Sequence, residues 1–150
     1  MMIADGSRIL LDSVVFIYFF ERNPRYFRQA RELFRRVEQG ELTAVVSTLC
    51  LTEVLVGEYR RSATDGQALR RAIVGMPNLD VLPVTEALAD NAARLRADHR
   101  LRTPDAVHMA TALAGGASWI VSNDGALRRV EVEGVRVWYM DSAEGGLPDV

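Results

Sequence analysis

Lysine is absent: all 18 basic residues are arginine. That excludes chemistries that depend on a lysine, among them Walker-type phosphate binding, Schiff-base catalysis and receiver-type phosphotransfer. Cysteine is nearly absent. Cys50 stands alone and has no partner for an internal disulfide, so a reducing, cytoplasmic compartment is expected. Long apolar runs are missing too. The longest, Val14 to Phe20, falls far short of the roughly 20 residues that a bilayer requires, so no membrane span is expected. Nor does that run read as a signal peptide, because Asp12 precedes it and no small-residue cleavage site follows. No repeat period or low-complexity stretch is visible. What remains is 49% apolar and 25% charged residues in a chain of 150, with a net charge of −2. This is the make-up of one ordinary globular domain, residues 1–150, with 1–7 and 142–150 expected as frayed tails.

Short apolar runs alternate with helical patterns. Strands are expected at Arg8–Leu11, Leu42–Val46, Leu79–Val84, Trp119–Val121 and Val135–Tyr139. Ser13 is expected to cap a helix through VVFIYFFE, and Asn23-Pro24 to open the next, ending near Gln39 before Gly40. Ser47 or Thr48 caps LCLTEVLVGEYRR. Further helices are expected over Thr64–Val74, after Thr85, and after Thr103-Pro104, with a short helical turn over Asn123–Leu127. Such alternation indicates an α/β domain with a parallel sheet covered on both faces. In such sheets function gathers beyond the carboxyl ends of the strands.

Four acids fall at or near that edge. Asp12 follows the first strand. Glu53 lies in the second turn of the helix after the second strand. Asp105 stands in the first turn of its helix, and Asp124 follows the fourth strand. Each alone has a plain structural reading, since acids complement the start of a helix. Asp12 and Glu53 resist it, because both sit among apolar residues. Four carboxylates at one edge would raise one another's pKa. A hard divalent cation such as Mg²⁺ or Mn²⁺ removes that cost and bridges to a phosphate.

The ordered segments RILLDSVVFIYFFE, STLCLTEVLVGE, TPDAVHMATAL and IVSNDGAL resemble the four motifs of PIN-domain ribonucleases, and more closely those of VapC toxins from VapBC toxin–antitoxin pairs. The likeness runs from about Ile9 to Tyr139. It implies a three-layer α/β/α fold with a five-stranded parallel sheet, Mg²⁺- or Mn²⁺-dependent cleavage of RNA, and silencing by a small VapB-like antitoxin. By motif, Asp12, Glu53, Asp105 and Asp124 are the four acids. Ser122 takes the hydroxyl position of the fourth motif, with Asn123 beside it, and Ser13 fills a place often held by threonine. The fourth motif departs from the family pattern where Ala126-Leu127 replace a common aromatic.

Asp12 and Asp105, short acids on well-held backbone, are the expected direct metal ligands. Glu53 and Asp124 are expected to bind directly or through water. Ser122, Asn123 and Ser13 are expected to orient a carboxylate or a metal-bound water, although Ser-Asn-Asp-Gly also spells a simple turn. Any of the carboxylates could take the proton of the attacking water. His108, one turn beyond Asp105, reads as a packed helix residue rather than a catalyst, given Val107, Met109, Ala110 and Ala112 around it.

Two surfaces suggest partners. Between Asn23 and Gln39, Tyr26, Phe27, Ala30, Leu33, Phe34 and Val37 share one arc. Arg22, Arg25, Arg28, Arg31, Arg35 and Arg36 fill the other. Arg25, Arg28, Arg31 and Arg35 are expected to contact RNA or the antitoxin; a solvated polar face is the plain alternative. The preceding helix is apolar all round. Phe16, Phe19 and Phe20 are therefore either deeply buried or form a groove for the antitoxin, and a homodimer is expected elsewhere. Other functions were weighed on the same residues. A phosphatase or phosphotransfer domain would use Asp12 as nucleophile, but Val14 stands where a second acid would be needed, and lysine is missing. A catalytically silent PIN-like module would usually have lost one of the acids.

Overall fold

The computed structural model describes residues 3–142. Five short strands form one parallel sheet: β1 (Arg8–Leu11), β2 (Thr43–Ser47), β3 (Leu79–Leu82), β4 (Trp119–Ser122) and β5 (Arg136–Tyr139), in the order β3-β2-β1-β4-β5. Strand alternation divides the core in two. Ile9 and Leu11 of β1, Ala44 and Val46 of β2 and Val121 of β4 point to one face. There they meet α1 (Ser13–Phe20), α2 (Phe27–Glu38), α3 (Thr48–Arg61) and α4 (Ala63–Val74). Leu10, Val45 and Ile120 point the other way. There they meet α5 (Glu86–His99), α6 (Thr103–Ala114) and the single turn α7 (Gly125–Arg128). This is the expected three-layer α/β/α arrangement, and the period of two along each strand produces it.

The chain winds from β1 outward through β2 to β3, then returns to the far side of β1 for β4 and β5. The order therefore reverses between β1 and β4, and a crevice opens beyond their carboxyl ends. Helix α6 lies deepest, with every side chain from Asp105 to Ala112 buried. It closes on the sheet where Gly115 follows it. A Cβ there would stand 3.0 Å from the Val45 side chain.

Several local expectations shift, each for a physical reason. Helix α2 begins at Phe27 rather than at Pro24, because the Asn23 side chain accepts from the Arg25 and Tyr26 amides at 2.9 and 3.2 Å and holds a turn in front of the helix. Ser13 is not the cap of α1. Asp12 occupies that position and makes no capping bond, since its carboxylate is engaged elsewhere. Likewise Arg102, not Thr103, precedes α6, without a side-chain cap. Residues 3–7 lie against the body of the structure. Ile3 is buried, its carbonyl accepts from Arg36 at 2.8 Å, and the Gly6 amide donates to the Glu41 carbonyl at 2.8 Å. Of the expected C-terminal tail only residue 142 is described; 143–150 lie outside the described residues.

Candidate active site

All four predicted acids line one cleft of about 340 Å³ at the switch point, with Ser13, Tyr18, Arg102, His108 and Asn123 on its walls. Asp12 is carried there by the end of β1. Its Oδ2 accepts from the Ser122 hydroxyl at 2.6 Å and its Oδ1 from that of Ser13 at 3.2 Å. Ser122, fully buried at the end of the neighbouring strand, also accepts from the Asp124 amide at 3.0 Å. One hydroxyl thus ties the backbone of the fourth motif to the carboxylate of the first. Asp124 caps α7 through Oδ1, which accepts from Ala126 at 2.8 Å, leaving Oδ2 to face the cleft.

The carboxylates stand as two bridged pairs. His108 Nε2 lies 2.9 Å from Glu53 Oε1 and 3.5 Å from Asp12 Oδ1. An ionised carboxylate can only accept, so in this contact Nε2 donates to Glu53. Arg102 bridges the second pair, donating from Nε to Asp105 Oδ2 at 3.3 Å and from a terminal nitrogen to Asp124 Oδ2 at 2.7 Å. Among the described residues no three acids, histidines or cysteines close round a single point at metal-ligand spacing. The donor set nevertheless fits a hard divalent cation in kind, being made of carboxylate oxygens, while Cys50 is buried in the core beneath.

The electrostatics separate the acids. Burial pushes the Asp105 carboxyl above its ordinary value, the charge of Asp124 adds to this, and Arg102 pulls back. Burial also works upward on Asp124, but the Ala126 amide and the bonds to Asp105 and Arg102 outweigh it, so its carboxyl lies below the ordinary value. His108 is raised above the ordinary imidazole value. Burial opposes its charge, but the bond to Glu53 and the charges of Asp12, Glu53 and Asp105 prevail.

Sequence reasoning missed two participants. His108 is buried, as its apolar neighbours suggest, yet its ring contacts two of the four acids. Arg102 was not singled out at all. For His108 the available signal was spacing, since it lies three residues beyond Asp105 on the same side of the helix; Arg102 stands just before that helix, in extended backbone. Asn123 lines the cleft, and its amide donates to the Tyr18 hydroxyl at 2.9 Å and accepts from the Asp141 amide at 2.9 Å. It fixes an aromatic wall, where Tyr18 stacks on Tyr26 with ring centres 4.5 Å apart.

The partner surfaces are also revised. Phe16 is fully buried against Phe34 and belongs to the core, so it lines no groove. Phe19 is half-buried among Phe20, Phe27 and Phe34, and Phe20 is 38% exposed. On α2, Arg36 is buried, and Arg35 is held by Glu32 and Glu41. Arg25 pairs with Asp141, and Arg22 and Arg31 lie over the Phe27 ring. A larger hollow of about 800 Å³ runs beside β5, but Glu131 is the only acid along it.

Known proteins share the framework that brings these carboxylates to one cleft. The PIN domain family model matches residues 9–133, and the chain belongs to the PIN-domain family. Its fold is similar to a toxin–antitoxin complex from Klebsiella pneumoniae, with 21% identity, a TM-score of 0.66, and coverage of 85% of this chain and 95% of the other. It is also similar to VapC20 of Mycobacterium tuberculosis, described as a sarcin-ricin loop cleaving toxin, with 20% identity, a TM-score of 0.63, and coverage of 78% and 90%. A DNA-bound VapBC from Salmonella typhimurium aligns with 19% identity, a TM-score of 0.60, and coverage of 87% and 96%. Comparison with curated proteins gives no match. No helix among the described residues is long and apolar enough to cross a membrane.

Proposed function

We propose that this chain is a Mg²⁺- or Mn²⁺-dependent endoribonuclease, the toxin of a VapBC-type pair acting in the cytoplasm. The observation that carries the reading is the convergence of Asp12, Glu53, Asp105 and Asp124 on one cleft of a PIN fold. When bound, the cation supplies a water of lowered pKa and a Lewis-acid contact to the phosphate.

The chain's own residues prepare the rest. Asp12 and Asp105 are the direct ligands. Asp12 is held in one orientation by Ser122 and Ser13, and Asp105 by burial in the first turn of α6. Glu53 and Asp124 complete the oxygen set, directly or through water. Glu53 is kept in place by His108 and Asp124 by its capping bond. Tyr18, fixed by Asn123, forms a wall of the cleft and limits what enters. The substrate is single-stranded or looped RNA, since exposed bases are what proteins read in RNA. The cognate antitoxin lies along α1 and α2, where Phe20 is exposed beside Phe19, and Arg25 in the turn before α2 and Arg28 and Arg31 on α2 are exposed. A homodimer of the toxin completes the assembly.

The test is cleavage of a structured RNA by the purified protein. Activity should require Mg²⁺ or Mn²⁺ and stop in EDTA, and Asp12→Asn should lower it by about 100-fold or more. His108→Gln can still donate to Glu53 and should keep part, down roughly 10- to 100-fold. Undiminished cleavage in EDTA, or hydrolysis of simple phosphomonoesters instead of RNA, would overturn the reading.

A further inference from the structure

We propose that Arg102 is a built-in competitor for the metal: its guanidinium occupies the oxygens of Asp105 and Asp124 that a divalent cation would take, so cation binding and the Arg102 bridge exclude one another. This rests on the metal-site reading above and adds a regulated step to it.

The atoms make the case. Asp124 has one carboxylate oxygen committed to the Ala126 amide, and the other, Oδ2, receives Arg102 at 2.7 Å. On Asp105 the atom engaged is again Oδ2. A cation drawn to this pair therefore meets a guanidinium in contact with the same oxygens, and the two positive charges repel at that distance. Burial says which partner moves. The Asp105 side chain is 5% exposed and fixed by the packed first turn of α6, whereas the Arg102 side chain is 73% exposed. The acids stay and the guanidinium swings out. It does not go far, because Arg102 sits directly before α6 in extended backbone, φ −70° and ψ 158°, at the cleft wall. Once displaced, it remains at the mouth of the cleft as a fixed positive charge suited to a phosphate oxygen.

Mn²⁺ titration calorimetry without RNA tests this. Arg102→Gln should bind Mn²⁺ about five- to tenfold more tightly than wild type, the order expected on removing one partly screened charge in contact. Arg102→Lys, which keeps the charge but not the fork, should fall between them. The gain should persist in about 0.5 M NaCl, where an effect exerted through solvent from beyond contact would be screened. Equal or weaker Mn²⁺ binding by Arg102→Gln, in a protein whose circular dichroism matches wild type, would overturn the competition and leave the metal site standing. A gain that disappears in salt would likewise assign Arg102 a distant, non-competing role. If neither protein bound Mn²⁺, the competition and the metal-site reading would fall together.

Discussion

Arg36 and Arg102 both meet carboxylates, but as mirror images. The Arg36 side chain is 6% exposed and its partner Asp5 is 76% exposed. For Arg102 the figures are 73%, against 5% for Asp105. In the first case the cation is fixed and the acid is at the surface. Arg36 also donates to the Ile3 carbonyl and lies 3.4 Å from Glu41, so it straps the N-terminal residues and the turn before β2 onto α2. In the second case the acid is fixed and the cation is at the surface. A buried charge cannot leave, but an exposed one can be exchanged at little cost. One pair is therefore a fastening, and the other is a place where an incoming cation can replace the resident one.

The contrast can be broken by mutation, and Arg36 should show the largest effect. Arg36→Ala leaves the buried Ile3 carbonyl unpaired and removes a packed stem, which should cost about 2 kcal/mol. For a chain of this size that is roughly 4–8 °C in Tm, read by thermal melting. Arg102→Gln should lose far less in the same assay. If the two variants melted alike, burial would not be what separates fastening from exchange.

A smaller effect sharpens the comparison on α2 itself. Bonds from Arg35 hold the Glu32 carboxyl below its ordinary value of 4.5, burial only partly opposing them. A folded-state value below the unfolded one stabilises fully above the unfolded value, and the benefit is lost as pH falls through the folded value. The modest Tm difference between wild type and Arg35→Ala at pH 7 should therefore shrink as pH falls from the ordinary carboxylate value through the lower folded one. A difference that stayed constant across that range would mean that Arg35 acts by packing alone.

The expectations drawn from sequence succeeded where they rested on period and failed where they rested on single side chains. The short, nearly continuous apolar runs LTAVV and WIV read directly as strands buried on both faces. Asp12 and Asp124 after strands, and Glu53 and Asp105 in the early turns of helices, are legible as one edge of the sheet, and all four line one cleft. Period alone could not show that Arg36, placed on the polar arc of its helix, is buried, because the residues that cover it, Ile3 and Asp5, come from a segment without any period. It could not separate Phe16 from Phe20 on a helix apolar all round, since only the position of α2 decides which ring it covers. Nor could it assign Asn123 to Tyr18, a contact between residues 105 apart in the chain. The bridges made by His108 and Arg102 were hidden for a similar reason. A residue's spacing from one acid is visible in the sequence, but its reach to a second acid depends on the fold.

That the four acids act as one cation site is tested most directly by four thermal melts: wild type and Asp12→Asn, each in EDTA and in Mn²⁺. The amide oxygen in Asp12→Asn can still accept from the Ser122 hydroxyl, so the two proteins should melt close together in EDTA. Mn²⁺ at about 100 times its dissociation constant should stabilise the wild type by about 2.7 kcal/mol, or roughly 5–10 °C. Asp12→Asn should shift far less, because a direct ligand is gone. Equal shifts in both proteins, or none in either, would contradict a site built on these carboxylates.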